Sequence, residues 1–486
     1  MTAALAGVLA YLALGVVGIL GAGRRAALLA MLGSLVCLSL WAPGFTPGWV
    51  GGEPWGVTVA GDTLAVAFWA LAPLVHAAVW WHERHRPTTF HGLVTLLVGT
   101  CLAAVLSRDL FNLFILLDLG SLLGAILIAY DLRSRAVWVG LRYLLLSALG
   151  MLVYLLGLGL VYGELETLSL VQIAELAPTL APPALRVGAS LLVVGAAVKA
   201  GVFLIGFWLP EAYCLAPVGV ATLLAGLAGK MGIVALARLS EALPVGPALA
   251  VLGVITGFGG LIYALWERDL MRFLAYHILS QYGYMLVGFG LGGAAFAGAA
   301  YYTIAHCLFK GLLFQSGGTA IEAVGERTIP DLARRLPRPA AWGLALGVGS
   351  IIGLPPLAGF VSKGFLGGLV PGGYGWALTL LGVGTATSFS KLLPLLRPGP
   401  RGGPRGGVVI LGVGVLAFSA WGLASLPGLL DAAAWGKAAA AVAVGYGLYL
   451  VVRRVRVPLP KVGLDHISVA VLLAAGLLAV AHLLVG

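Results

Sequence analysis

Runs of about 20 apolar residues, separated by short polar breaks, recur along the whole of this chain. Coiled as a helix, a run of that length matches the ~30 Å hydrocarbon core of a bilayer. The pattern predicts about 16 spans, at roughly 2–22, 27–44, 60–81, 90–107, 110–130, 137–162, 186–208, 216–237, 247–266, 273–292, 297–321, 340–368, 374–396, 407–426, 433–452 and 466–485. The longest breaks, near 163–185 and 322–339, are only about 20 residues. They leave no room for a nucleotide-binding or redox domain, and neither a Walker loop nor a G-x-G-x-x-G after a strand occurs.

Composition agrees with the pattern. Hydrophobic residues make up 60% of the chain and charged residues 10%, with a mean hydropathy of +1.04, far beyond a soluble domain. The fold class expected is an all-α polytopic membrane protein of about 14–16 transmembrane helices. The net charge of +11 does not point to nucleic acid, because the basic residues are scattered through short loops and form no single face. Loops after odd-numbered spans hold nineteen of the 29 basic residues, Arg24, Arg25, Arg84, Arg86 and Arg335 among them, and the opposite loops hold four. By the positive-inside rule the odd loops are cytoplasmic and both termini lie outside. The apolar first run has no basic segment before it, so span one is expected to be retained and not cleaved as a signal peptide. The expected location is the cell inner (plasma) membrane, with the bilayer itself as a partner.

An internal repeat is legible. Span five, DLFNLFILLDLG from Asp109, resembles span ten, DLMRFLAYHILSQYGY from Asp269. Asp118 precedes Lys199 by 81 residues and Gln281 precedes Lys363 by 82, while Lys199 to Lys230 is 31 and Lys363 to Lys391 is 28. Five spans separate the copies, so the second is inverted, an arrangement that places ion sites near the midplane. The expected division is an N-terminal three-helix segment at 1–88, a first repeat at 89–240, a second at 241–400 and C-terminal helices at 401–486, with broken helices at spans seven and twelve.

Five lysines, Lys199, Lys230, Lys310, Lys363 and Lys391, fall inside these apolar runs, where a charge costs at least ~2.5 kcal/mol. Burial penalises the ammonium form, so a series of buried lysines is suited to relaying protons. Lys391 lies near the end of its span, where snorkelling to the interface is the competing reading. Asp118 is the one acid deep within a span, and a cationic partner, Lys199, is expected for it. His306 and Lys310 are four apart and share a helical face, and histidine titrates nearest neutrality. His277 lies toward the cytoplasmic end of span ten, while His76, His82, His85, His91, His466 and His482 read as interfacial or peripheral. Cys37, Cys101, Cys214 and Cys307 read as small buried hydrophobes. No His/acid pair has metal-ligand spacing, and no cofactor, metal or catalytic site is expected in the chain itself.

The segments VKAGVFLIGFWLPEAY, RFLAYHILSQYGY, YYTIAHCLFKGLLF and GLPPLAGFVSKGF resemble the antiporter-like subunits shared by respiratory complex I, membrane-bound hydrogenases and Mrp-type Na+/H+ antiporters. RDLFNLFILLD and GLPPLAGFVSK are most similar to the Mrp D subunit. The resemblance covers about residues 60–400. It implies a 14-helix core with two inverted five-helix units and an acid on helix five paired with a lysine on helix seven. It further implies a lysine on helix eight, a histidine on helix eleven and a terminal Lys or Glu on helix twelve, which fall on Asp118, Lys199, Lys230, His306 and Lys363. The usual helix-five acid is Glu, and two spans at the C-terminus are extra. The implied function is H+ translocation within a hetero-oligomer of membrane subunits, coupled to Na+ or to a redox partner. A stand-alone secondary transporter and a purely structural subunit are the alternatives.

Overall fold

The computed structural model describes residues 2–40, 45–53, 56–178, 182–333, 335–397, 406–455 and 470. Span sixteen apart from Ala470, and Arg334, Arg401, Arg405, Arg456, Lys461, His466 and His482, therefore lie outside the described residues. The chain opens with α1 (Thr2–Val17) and α2 (Gly23–Ser39), then a hairpin of β1 (Phe45–Val50) and β2 (Val57–Gly61). There follow α3 (Thr63–His82), α4 (Thr88–Leu106), α5 (Leu110–Ile128), α6 (Ser134–Leu165), α7 (Leu170–Leu176), α8 (Pro183–Ala200), α9 (Leu209–Leu215), α10 (Val218–Gly226) and α11 (Met231–Ala242). The second half holds α12 (Gly246–Trp266), α13 (Leu270–Leu291), α14 (Gly293–Val324), α15 (Ile329–Leu332), α16 (Arg338–Ile352), α17 (Ala358–Leu369) and α18 (Gly372–Phe389) with a 3-10 extension to Leu396, then α19 (Gly406–Ser425) and α20 (Ala432–Val452).

The chain is thus a polytopic, almost wholly helical membrane protein, and eleven segments among the described residues are long and apolar enough to span a bilayer. α13 and α14 are not among the eleven. Both are buried along nearly their whole length, so they meet protein in place of lipid and tolerate Gln281, His277, His306 and Lys310. Spans one and two, expected as separate helices, run into each other through a π-turn at Gly18–Ala22 that kinks at Gly21 (φ 137°). The β1–β2 hairpin was not expected. His76 and His91 are buried between α3 and α4 instead of interfacial, with His76 6.0 Å from the Tyr11 ring.

The element order repeats, and in detail. Asp109 and Asp269 cap α5 and α13 through the N–H groups of Asn112 (2.7 Å) and Arg272 (3.0 Å). Each forms a one-residue bridge to the strand-like turn that follows the next long helix, Asp109 to Ser169 and Asp269 to Thr328. Those long helices, α6 and α14, are both 32 residues and both end on a left-handed residue, Glu166 and Gly325. A short helix follows each, and then a half-length helix ending on a left-handed glycine, Gly201 (φ 75°) and Gly353 (φ 83°). These are the breaks expected in spans seven and twelve.

Small residues bring the helices together. A Cβ on Gly283 of α13 would lie 2.6 Å from the Gly257 Cα and 2.8 Å from the Gly253 carbonyl of α12, so backbone meets backbone there. At the hairpin end of the bundle, Asp62 caps α3 through the Ala65 N–H (2.9 Å) and holds both guanidinium nitrogens of Arg238 (2.7 and 3.0 Å). Arg108 reaches the same carboxylate at 3.0 Å and Glu241 reaches Arg238 at 3.0 Å. Burial works against ionisation of Asp62, but the charge and hydrogen bonds of Arg238, with Arg108 and Ala65, outweigh it and hold the carboxyl below its usual range.

Because the Arg238 side chain has no solvent exposure, Asp62→Ala strands most of a buried charge. The expected loss is about 3–5 kcal/mol, reduced by whatever Glu241 recovers, read as a lower unfolding midpoint in detergent. The Asp62 contribution is complete above the ordinary carboxylate range and lost as pH falls through its depressed value, so this pair leaves the wild-type midpoint unchanged between about pH 7 and 5.

Candidate functional site

Lys199, Lys230, Lys363 and Lys391 sit at, or reach, a helix break or end, whereas Lys310 lies in the middle of α14. Lys199 lies in the last turn of α8, two residues before Gly201, and donates to the Tyr143 hydroxyl (3.0 Å) and to Ser121 Oγ. The direct contact expected with Asp118 is not formed. Asp118 is half-buried, and no ion pair of it occurs among the described residues. The reason is its facing: it shares the α5 stripe of Phe111, Ile115, Leu122 and Ile126, all more than 40% exposed, while Ser121, one turn on, points inward.

Between α10 and α11 the backbone leaves the helix at Leu227 (φ −145°, ψ −70°) and makes a single 3-10 turn ending at Lys230. The Lys230 Nζ donates to the Ala225 carbonyl at 2.6 Å and lies 5.4 Å from the Tyr282 ring centre. Tyr282 in turn donates to the Gly229 carbonyl at 2.7 Å. Gly229 admits no side chain, since a Cβ would be 2.1 Å from the Tyr213 hydroxyl. α11 touches α8 at the same level, where a Cβ on Gly232 would meet Ala200 N at 2.3 Å and the Lys199 carbonyl carbon at 2.8 Å.

From Lys230 a line of polar and aromatic groups crosses the middle of the bundle. Tyr282 is 6.2 Å from His306, and His306 is 6.3 Å from Tyr302. Tyr302 donates to Gln281 Oε1 and stands 5.1 Å from Tyr284. The Tyr284 ring lies 5.0 Å from the Lys363 Nζ, which donates to the Ile351 carbonyl at 2.6 Å. Both ring nitrogens of His306 are buried without a hydrogen-bond partner among the described residues. Three tyrosines thus lie between Lys230, His306 and Lys363, with ring neighbours and, among the described residues, no hydrogen bond at His306.

Lys310, one turn from His306, lies off this line and donates to the Leu274 carbonyl at 2.7 Å, with Phe389 5.8 Å away. His277 shares a hydrogen bond with Ser388 at 2.7 Å and packs between Phe273 and Phe389. Lys391 donates to three carbonyls at the C-terminal end of α12, Ala264 (2.6 Å), Leu265 (3.1 Å) and Glu267 (3.0 Å). It does not snorkel outward; it caps a helix. Sequence reasoning missed Ser121, Tyr143, Tyr282, Tyr284 and Tyr302 as members of the site. The signal for three of them was present: Tyr282 and Tyr284 flank Gly283 just after Gln281, and Tyr302 precedes His306 by one turn.

A membrane bundle with three interrupted helices and a buried line of lysines, tyrosines and a histidine defines an antiporter-like membrane protein. Residues 107–388 match the family model described as NADH:quinone oxidoreductase/Mrp antiporter, transmembrane, and the chain belongs to that family. It is 35% identical to the N-type subunit of the NADH-quinone oxidoreductase of Desulforudis audaxviator, over 66% of this chain and 68% of that one. It is 30% identical to the D-type subunit of the Na+/H+ antiporter of Alkalihalophilus pseudofirmus, over 70% and 72%. Among solved structures it is similar to a chain of the Mrp complex from Dietzia sp., with TM-score 0.72 and 27% identity, covering all of this chain and 56% of that one. The chain thus spans little more than half the length of that neighbour. A chain of an archaeal membrane-bound sulfane sulfur reductase shares the fold at 20% identity, with TM-score 0.77 over 92% and 99%. Both neighbours come from membrane complexes.

Tyr302→Phe keeps the ring and removes only the hydroxyl that links Tyr302 to Gln281. If this line carries protons, transport by assembled complexes reconstituted into vesicles is expected to fall about a hundredfold, the scale of a lost proton-transfer group. Transport close to wild type would place that hydroxyl outside the path.

Proposed function

We propose that this chain is the proton-translocating, antiporter-like component of a multisubunit Mrp-type Na+/H+ antiporter, working beside other membrane subunits in the cell inner membrane. The observation that carries the reading is the line from Lys230 through His306 to Lys363, built of groups that exchange protons or hold water. Lys199, with Asp118 on the next turn from its Ser121 partner, would gate entry. Lys310, His277 and Lys391 would form a side branch toward the ends of α12 and α18. The chain would act as two inverted units, 89–240 and 241–400, between an N-terminal segment at 1–88 and C-terminal helices at 401–486. A second reading, the proton-pumping membrane component of a redox complex, is favoured by the 35% identity to an N-type oxidoreductase subunit. In that case the same line carries protons driven by electron transfer in a partner.

Lys363→Ala is expected to abolish transport, and Lys363→Glu to retain a measurable fraction, because a carboxyl at the same helix break still exchanges protons. Equal activity of the two variants in assembled complexes would remove Lys363 from the path. A Na+ gradient that drives proton movement supports the antiporter; movement only with an electron donor and acceptor supports the redox reading.

Orientation has its own test. The odd-numbered loops hold most of the Arg and Lys and would face the cytoplasm, with both termini outside. Single cysteines at Arg335 and Glu53 are expected to label from opposite sides of sealed vesicles, and same-side labelling would overturn the helix count.

A further inference from the structure

Three membrane-spanning segments, α12 ending at Trp266, the α18 extension ending at Leu396 and α20 ending at Val452, bring residues of their C-terminal parts to one place. Their ends surround a cavity of about 680 Å³. Among the described residues Arg268, Lys391 and Arg453 contribute its basic groups and Glu267 its one acid. Glu267 Oε1 accepts the backbone N–H groups of Arg268 (2.7 Å) and Asp269 (2.9 Å). The three protons of the Lys391 ammonium are spent on α12 carbonyls. The Arg268 and Arg453 side chains are exposed, and neither guanidinium has a hydrogen-bond or ion-pair partner among the described residues. Two unspent planar forks on one cavity call for an oxyanion that can accept them in pairs.

The surroundings say which oxyanion. Trp266 and Tyr449 line the cavity, the residue types that sit at the level of lipid headgroups. Trp266 is held there by donating to the Val455 carbonyl at 3.1 Å. α20 has only 6% of its span buried within the protein, and it exposes Val444, Leu448 and Val451 on one stripe leading to the rim. Ile262 of α12, one turn from Trp266, is 45% exposed. A soluble anion would use the guanidinium groups and none of this apolar surface.

We propose that the cavity binds the headgroup of an anionic phospholipid, Arg268 and Arg453 gripping its phosphodiester while the acyl chains run down the exposed faces of α12 and α20. The inference does not depend on the transport reading. Arg453, Tyr449 and Lys391 lie beyond the residues the family model matches, and Trp266 and Arg268 lie within them. Basic pockets between helix ends are a recurrent solution for such lipids.

The test is native mass spectrometry of the purified full-length chain, delipidated in detergent and titrated with phosphatidylglycerol or phosphatidylcholine. One phosphatidylglycerol is expected to be retained per chain in preference to phosphatidylcholine, and R268Q/R453Q to weaken its retention at least tenfold. R268K/R453K, which keeps the charge and loses the fork, is expected to recover part of it and controls for folding. Equal retention by wild type and R268Q/R453Q, equal retention of the two lipids, or complete displacement by excess inorganic phosphate would each overturn the proposal.

Discussion

Everything in this bundle depends on how an ammonium group is kept at membrane depth without a carboxylate. In hydrocarbon an unsatisfied backbone carbonyl costs several kcal/mol, and so does an unsatisfied charge. The chain sets one against the other. Helix interruptions and ends free carbonyls, and the lysines take them: Lys230 at Ala225, Lys363 at Ile351, Lys391 at the end of α12. Lys310 is the exception, donating to the carbonyl of Leu274 within the unbroken α13. A carbonyl partner differs from a carboxylate in one respect that matters for moving protons. When the lysine gives up its proton, the neutral amine still donates to the carbonyl and no opposite charge is left stranded. A buried ion pair would instead hold the proton, because breaking it leaves an uncompensated charge.

The same constraint explains how the two halves are alike although their lysines are not at matching chain positions. Lys199 lies two residues before the left-handed Gly201, in the last turn of α8. Its counterpart two residues before Gly353 is Ile351, which has no polar side chain. Lys363, from the far side of the break, returns its ammonium to the Ile351 carbonyl. Both units thus place a positive charge at the C-terminal end of a half-helix, where the helix dipole favours it. In each, the side chain on the preceding inner helix that meets the lysine is three residues beyond the Asp118 or Gln281 position: Ser121 for Lys199 and Tyr284 for Lys363.

Much of this was legible before any coordinates. Helix number and position follow from the length of apolar runs, because the bilayer fixes that length. The repeat was readable from the likeness of the segments that start at Asp109 and Asp269, which cap α5 and α13 alike, whereas the spacing of Lys199 and Lys363 pairs residues on opposite sides of their breaks. What spacing cannot give is facing. Asp118 is at the right depth for Lys199, yet it sits on the stripe of Phe111 and Ile115 and Ser121 meets the lysine instead. His76 and His91 looked peripheral near the ends of their spans, but both are buried, His76 beside the Tyr11 ring of α1. The β1–β2 hairpin escaped notice because TPGWVGGEPWG reads as a loop by its glycines and prolines, and strand pairing in a two-stranded ribbon comes from its neighbours.

Tyrosines were the larger omission, and the reason is chemical. Read one at a time, Tyr143, Tyr282, Tyr284 and Tyr302 are aromatic residues in apolar helices, the usual material of a core. Their role comes only from position between charged groups, with Tyr143, Tyr282 and Tyr284 each within 5.4 Å of a lysine ammonium. The ring face stabilises the cation, while the Tyr282 and Tyr284 hydroxyls donate to the carbonyls of Gly229 and Leu378 and the Tyr143 hydroxyl accepts from Lys199 itself. A relay of lysines alone would place like charges in a low dielectric with nothing between them. Interposed tyrosines and the ring of His306 keep the ammonium groups apart, and a line of this kind can therefore hold several lysines at one depth.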